Sequence, residues 1–193
     1  VYPFVSEWAS RKDKQPLADS LVSMTRAMAF IFVPLAIAMI VLAQPIVATA
    51  FERGEFTAED TTAVTRALVP YTSGLPFFAV EASINKWYFA LQDTATPNYV
   101  GAAMAVLHIL IAGAGVYALN RSIGVIAAAL SISKGLKVII LYALLRRRIG
   151  EIDRAAVMSF LSRMLIATAA MLAVVIGLER TLSPILMVGG TVY

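Results

Sequence analysis

The sequence predicts an all-α protein: a polytopic transmembrane helix bundle of about five complete spans plus a truncated sixth. Three observations carry this prediction. The chain is 60% hydrophobic with a mean hydropathy of +0.79, against roughly 45–50% apolar residues in soluble domains. Apolar runs long enough to cross a bilayer recur along its length, separated by short polar stretches. Lys and Arg gather in alternate connections between these runs. With only 15% charged residues, the chain has too little polar surface to enclose its apolar residues in a soluble core.

Residues 1–26 read as the end of a preceding helix plus an interfacial amphipathic segment. Trp8 and the cluster Arg11, Lys12 and Lys14 precede Leu17, Leu21 and Met24, whose i, i+4, i+7 spacing gives one apolar face. Residues 27–145 read as four transmembrane helices. The first, Ala27 to Ala50, contains Pro34 and Pro45 and is expected to kink near Pro34. A polar turn, Phe51 to Asp60, surrounds Gly54. The second helix begins near Thr61, enters the membrane around Leu68 and carries the stretch Tyr71 to Leu91, with Gly74 and Pro76 marking a bend and Thr94 to Pro97 ending it. The third, Asn98 to Leu119, is rich in Gly and Ala, a composition that predicts close packing inside a bundle. The loop Asn120-Arg121-Ser122 leads to the fourth, Ile123 to Leu145. Residues 146–193 supply a basic loop, a further span from about Val157 to Leu178, a short Glu179-Arg180 loop and the start of a last apolar run. The chain opens without Met and stops inside an apolar run, so it reads as a piece of a longer protein.

Lys and Arg near the membrane set the orientation. Arg11, Lys12, Lys14, Arg26, Arg146, Arg147, Arg148, Arg154 and Arg163 fall on one side; Arg53, Arg66, Arg121 and Arg180 fall on the other. Residues 1–26, 92–98 and 146–156 are therefore expected on the cytoplasmic side, and 51–62, 120–122 and 179–182 on the outer side.

Several chemistries are excluded. The chain has no Cys and a single His, so it holds no disulfide, no thiolate site and no two-His metal site of its own. No Gly-rich phosphate loop, HExxH or nucleophile elbow is present, and no catalytic residue or nucleic-acid site is assigned. What stands out instead is polar chemistry inside apolar runs. Glu81, His108 and Lys134 all fall near mid-depth on three successive spans, with Asn85 one turn from Glu81 and Lys137 one turn from Lys134. Ser131, Lys134 and Lys137 recur at i, i+3, i+6 and share a face. A charge at the bilayer centre costs about 2.5–3.5 kcal/mol even on the milder scales, so such residues face a partner or a cavity. Two readings follow. Glu81 and Lys134 form a buried ion pair that only holds the bundle, or these residues line a hydrated path in which the lysines attract an anionic substrate and Glu81 or His108 exchanges protons.

Several runs then carry a resemblance: Pro3 with Ser6, Val33–Ala36 (VPLA), Phe51–Phe56 (FERGEF), Tyr71–Leu75 (YTSGL) and Tyr88–Pro97 (YFALQDTATP). In this order they resemble the MurJ/MviN family of bacterial lipid II flippases, within the multidrug/oligosaccharidyl-lipid/polysaccharide exporter superfamily. The likeness extends over essentially the whole chain. It implies the C-terminal part of a fourteen-helix, two-lobe transporter of the bacterial inner membrane. Such a protein carries lipid II, the lipid-linked peptidoglycan precursor, from the cytoplasmic to the periplasmic leaflet by alternating access. The implied partners are lipid II or a similar polyprenyl-pyrophosphate-linked saccharide, membrane lipids and the first lobe. The implied drive is membrane potential or a proton or sodium gradient, without ATP hydrolysis and without a cofactor. Family members with a sodium site place an Asn where this sequence has Ala112, which argues against a sodium site of that form. The family's headgroup-binding arginines precede this chain. A sister exporter of lipid-linked polysaccharide units or drugs, and a non-transporting membrane scaffold, are the alternative functions.

Overall fold

A computed structural model describes residues 14–118, 123–148 and 154–188, with side chains described from residue 19 to 177 apart from a few. Trp8, the Arg11–Lys12 cluster and the Asn120-Arg121-Ser122 loop lie outside the described residues. Among the described residues there are seven helices: α1 (Lys14–Val41), α2 (Ala43–Phe51), α3 (Ala58–Ser73), α4 (Leu75–Ala90), α5 (Ala95–Ala118), α6 (Ile123–Arg146) and α7 (Arg154–Val188). The chain divides into two compact units, Val1–Asp153 and Arg154–Tyr193. Among the described residues, four stretches are long and apolar enough to cross a membrane: Asp19–Val41, Ala95–Ala118, Ile123–Arg146 and Met158–Gly177.

The remaining predicted span is built from two halves. α3 and α4 have 16 residues each and meet at Gly74. Pro76 near the start of α4 lacks an N–H and its ring opposes the carbonyl four residues back, so the ladder is interrupted there. The break is held from across the bundle. Ser131 Oγ of α6 donates to the Pro70 carbonyl at 2.6 Å, and Ser73 Oγ donates to the same oxygen at 2.7 Å. A Cβ on residue 74 would lie 2.6 Å from Ser131 Oγ and 3.1 Å from the Tyr71 carbonyl oxygen, so only glycine fits.

Capping explains the other boundaries. Gly54 takes a positive φ of 63° in the turn before α3, and Thr57 and Asp60 form a capping box at its start. At the far end of α4, Gln92 takes φ 58°, with Asp93 N–H bonded to the Tyr88 carbonyl and Gln92 N–H to that of Phe89. This is a Schellman motif with Gln in the position usually given to Gly. Asp93 then accepts from Thr96 N–H (2.9 Å) and Thr96 Oγ1 (2.7 Å) at the start of α5, and from Arg148 Nη1 (2.6 Å) past the end of α6.

The structure bears on four expectations. α1 is continuous from Lys14 into the first span, and Leu21 is fully buried against α4 and α6, with Met24 beside it. α1 keeps Pro34 inside it, and a further interruption falls at Leu42, where the Pro45 ring opposes the Val41 carbonyl. α5 is not enclosed: apart from Pro97 its residues are part-exposed or exposed, Tyr99, Ile109 and Tyr117 among the most open. Its small residues serve one face only, where Gly101 and Gly115 lie against Lys137 and Val125 of α6. Finally, α7 runs through Glu179 and Arg180, where a loop was expected; both are residues a helix accommodates readily.

The core of the first unit lies where α1, α4 and α6 converge at the Arg-rich end. Leu21, Val80, Ile84, Trp87, Tyr88, Ala90, Leu141 and Leu145 form one buried cluster. Tyr88 is fully buried and its hydroxyl donates to the Leu141 carbonyl at 2.9 Å. Tyr88→Phe is expected to cost about 1 kcal/mol, the usual net worth of such a bond, read as a lowered unfolding midpoint of the purified protein. A loss above about 3 kcal/mol would show that Tyr88 does more than tie α4 to α6.

Candidate functional site

α4 and α6 run in the same direction, since Gly74 lies against Ser131, Phe77 against Gly135 and Tyr88 against Leu141. This parallel register brings Glu81 level with Lys134 and Lys137. Lys134 Nζ donates to Glu81 Oε2 at 2.7 Å and Lys137 Nζ to Glu81 Oε1 at 2.5 Å. Each carboxylate oxygen thus holds one ammonium. Glu81 is 7% exposed, and the Lys134 and Lys137 side chains are 27% and 13% exposed. Lys134 Nζ also stands 5.1 Å over the Phe78 ring, a cation–π contact one turn from Glu81.

The cluster carries one carboxylate against two ammonium groups when all three are charged. That leaves an excess positive charge within apolar helices, where it is most favourable beside an anion or water. Gly101 of α5 completes the geometry. A Cβ there would sit 3.1 Å from Lys137 Nζ, so the glycine leaves room for the ammonium to reach between α4 and α5. Substituting Gly101 by Leu is expected to push Lys137 off Glu81.

Of the residues singled out from the sequence, Glu81, Lys134 and Lys137 come together. Asn85 and His108 do not join them through any described hydrogen bond: Asn85 Oδ1 and His108 Nδ1 are buried without a partner. His108 is seven residues beyond Gly101 on α5, on the same face but roughly 10 Å further along the axis from Lys137. Ser131 faces α3 and closes the Gly74 break. Phe78 and Gly101 were not singled out as site residues; their roles depend on neighbours from other helices, which periodicity along one helix does not reveal. Among the described residues no group of three or more His, Asp or Glu suits a metal ion.

The Asp93 turn holds a further ion pair among the described residues. Hydrogen bonds from the Thr96 backbone and hydroxyl hold the Asp93 carboxyl below the usual carboxylate range, with Arg148 adding to the effect. A carboxyl lowered on folding stabilises the fold above its unfolded pKa and loses that contribution as pH falls through its folded value. Acid titration below about pH 4 should therefore loosen the α4–α5 turn, and Asp93→Asn should remove this dependence. Proteolysis or hydrogen exchange at residues 91–97 reads it; identical acid profiles in wild type and variant would contradict it.

Several apolar spans, a broken helix at their centre and a buried cationic cluster beside that break define a multi-pass membrane protein with a polar interior. This class contains carriers, and comparison with known proteins gives the family. The chain belongs to the lipid II flippase MurJ family, whose model matches residues 1–192. A relative named "Probable lipid II flippase MurJ" from Borreliella burgdorferi is 26% identical over 182 residues, 93% of this chain and 35% of that protein. "Lipid II flippase MurJ" of Thermosipho africanus is 32% identical over 82 residues, 42% of this chain and 17% of that protein. A solved structure, "Lipid II flippase MurJ, inward closed conformation", shares the fold with a TM-score of 0.69 at 24% identity, covering 86% of this chain and 34% of that one. The chain thus spans about a third or less of the length of these relatives. Membership and the apolar helices place it among multi-pass proteins of the bacterial inner membrane.

Proposed function

We propose that this chain is the C-terminal portion of a lipid II flippase, and that it supplies one wall of the path along which the precursor's headgroup crosses the membrane. The observation that carries this reading is the family match along residues 1–192. The physical need is plain: a sugar-pyrophosphate headgroup cannot cross hydrocarbon without a polar, hydrated surround. The Glu81–Lys134–Lys137 cluster offers net positive charge on a broken-helix scaffold, as membrane carriers do for anionic cargo.

In this reading Glu81 acts as a resident counter-ion. It holds both ammonium groups in place while no cargo is present, and a diphosphate in the cavity shares their charge without the lysines having to be desolvated again. Gly74 lets α3 and α4 change their mutual angle as the protein alternates between inward and outward states. The cycle draws on membrane potential or an ion gradient rather than ATP. Residues 92–98 and 146–156 face the cytoplasm and 51–62 the outer side. The positive excess in the cluster also weighs against a cavity selective for cationic drugs.

The test is functional replacement. The full-length protein carrying this segment should restore growth and normal cell shape to bacteria depleted of their lipid II flippase. It should also raise the amount of lipid II accessible at the outer leaflet. Normal membrane levels with no rescue would overturn the reading.

A further inference from the structure

Tyr71, Phe78 and Lys134 form one continuous surface across the Gly74 break. The Tyr71 ring of α3 and the Phe78 ring of α4 stand 6.0 Å apart, tilted by 40°. Lys134 Nζ of α6 lies 5.1 Å from the centre of the Phe78 ring and donates to Glu81 Oε2 at 2.7 Å. The surface is open: Tyr71 is 47% exposed and the Lys134 side chain 27%. Which way it faces follows from the lysine. Lys134 sits near the middle of the α6 span, roughly 17 Å from either end, too deep for its side chain to reach the headgroups. The exposed part of an ammonium at that depth faces water or cargo, not hydrocarbon. The two rings in series with it share that side. This sets Tyr71 apart from the aromatic residues that girdle a membrane protein at the headgroup level.

From this we infer a saccharide-binding subsite: a sugar ring stacks on the exposed Tyr71, backed by Phe78, and Lys134 takes an anionic group joined to that sugar. The face of an aromatic ring is negative and attracts the C–H groups on the flat side of a pyranose. An ammonium has three N–H donors, and among the described residues Glu81 accepts one from Lys134. The two contacts in series, 5.1 Å and 6.0 Å, put the Tyr71 ring within the length of one sugar and its linking phosphate of Lys134 Nζ. A bare phosphate would leave both rings unused. An acyl chain would cover the rings but set the ammonium against hydrocarbon, and a cationic ligand would be repelled by it. A sugar with a neighbouring phosphate or carboxylate satisfies all three side chains. The subsite rests on the lipid II reading and adds the saccharide to it, which the ionic cluster alone does not address. Because Tyr71 precedes the Gly74 break and Phe78 follows it, a sugar seated there also fixes the angle between α3 and α4.

Native mass spectrometry of the full-length protein tests the inference with three probes: lipid II, lipid II stripped of its peptide, and undecaprenyl pyrophosphate. The last two share tail and diphosphate and differ only in the disaccharide. The wild type should retain the peptide-free lipid II about tenfold better than undecaprenyl pyrophosphate. Y71L should abolish that advantage while leaving retention of undecaprenyl pyrophosphate unchanged. Y71F, which keeps the ring, should behave as wild type. F78L, which also unseats Lys134, should lower retention of all three probes. Wild-type retention of the disaccharide lipid by Y71L would overturn the subsite and leave the flippase reading standing. An equal loss of both peptide-free probes with Y71L would also overturn it, by showing a general effect on the protein. Loss with Y71F matching that with Y71L would do so too, since the hydroxyl rather than the ring would then be the contact. Background retention of lipid II itself by the wild type would overturn the flippase reading together with the subsite.

Discussion

Glu81→Gln is expected to destabilise the full-length protein by up to about 3–5 kcal/mol, because it leaves two part-buried ammonium groups without their anion. The arithmetic of the cluster makes the opposite substitution mild. Lys134→Met removes the more exposed lysine and leaves a one-to-one pair between Glu81 and Lys137, 2.5 Å apart. Its cost should be about 1 kcal/mol or less, since the excess charge goes with it. Replacing all three, as E81Q/K134M/K137M, removes every charge from the site and should recover most of the stability lost by E81Q alone. Unfolding midpoints of the purified protein in detergent measure the series. An E81Q variant as stable as wild type would mean that the lysines find water or another anion, and that Glu81 is not their counter-ion.

Gly74→Ala should also be damaging, through a different cause. Its methyl group would meet Ser131 Oγ at 2.6 Å and the Tyr71 carbonyl at 3.1 Å, closer than side chains tolerate. Overpacking of this kind costs about 1–3 kcal/mol. The clash also bears on the hydrogen bond from Ser131 to Pro70, which closes the helix break. The expected outcome is a variant with a lower melting point and reduced transport. Adding Ser131→Ala relieves the closest contact, so the double variant should recover part of the stability. It should not recover all of it, because the Tyr71 carbonyl and the Ser131 Cβ, at 3.2 Å, stay close. If the double variant melts below the single one, Ser131 matters more as a donor to Pro70 than as an obstacle.

How much of this was legible in the sequence differs from residue to residue. Depth counting along apolar runs placed Glu81 level with Lys134, and the structure joins them, because parallel helices of similar tilt preserve depth. The same counting placed His108 with them, yet the α5 residue beside Lys137 is Gly101, two turns away. Depth estimates on a helix whose ends are uncertain carry an error of that size, and a polar residue attracts attention that a glycine does not. The Gly74–Pro76 bend was legible because both residues act locally. Leu21 and Met24 were legible as an apolar stripe but not as core: a stripe that suits a membrane surface suits Trp87 and Tyr88 equally well. The Gly and Ala content of α5 suggested burial, whereas the structure uses only one face of it. Composition counts small residues without saying which side of the helix they occupy.

Rescue of flippase-depleted cells by the full-length E81Q/K134M/K137M variant, at wild-type membrane levels, separates a transport role for the cluster from a purely structural one. The charge-free cluster is predicted to keep the protein folded and inserted while abolishing rescue, with outer-leaflet lipid II falling to the level of depleted cells. Full rescue by this variant would contradict the account: the cluster would then be an internal fastening, and the headgroup would cross elsewhere.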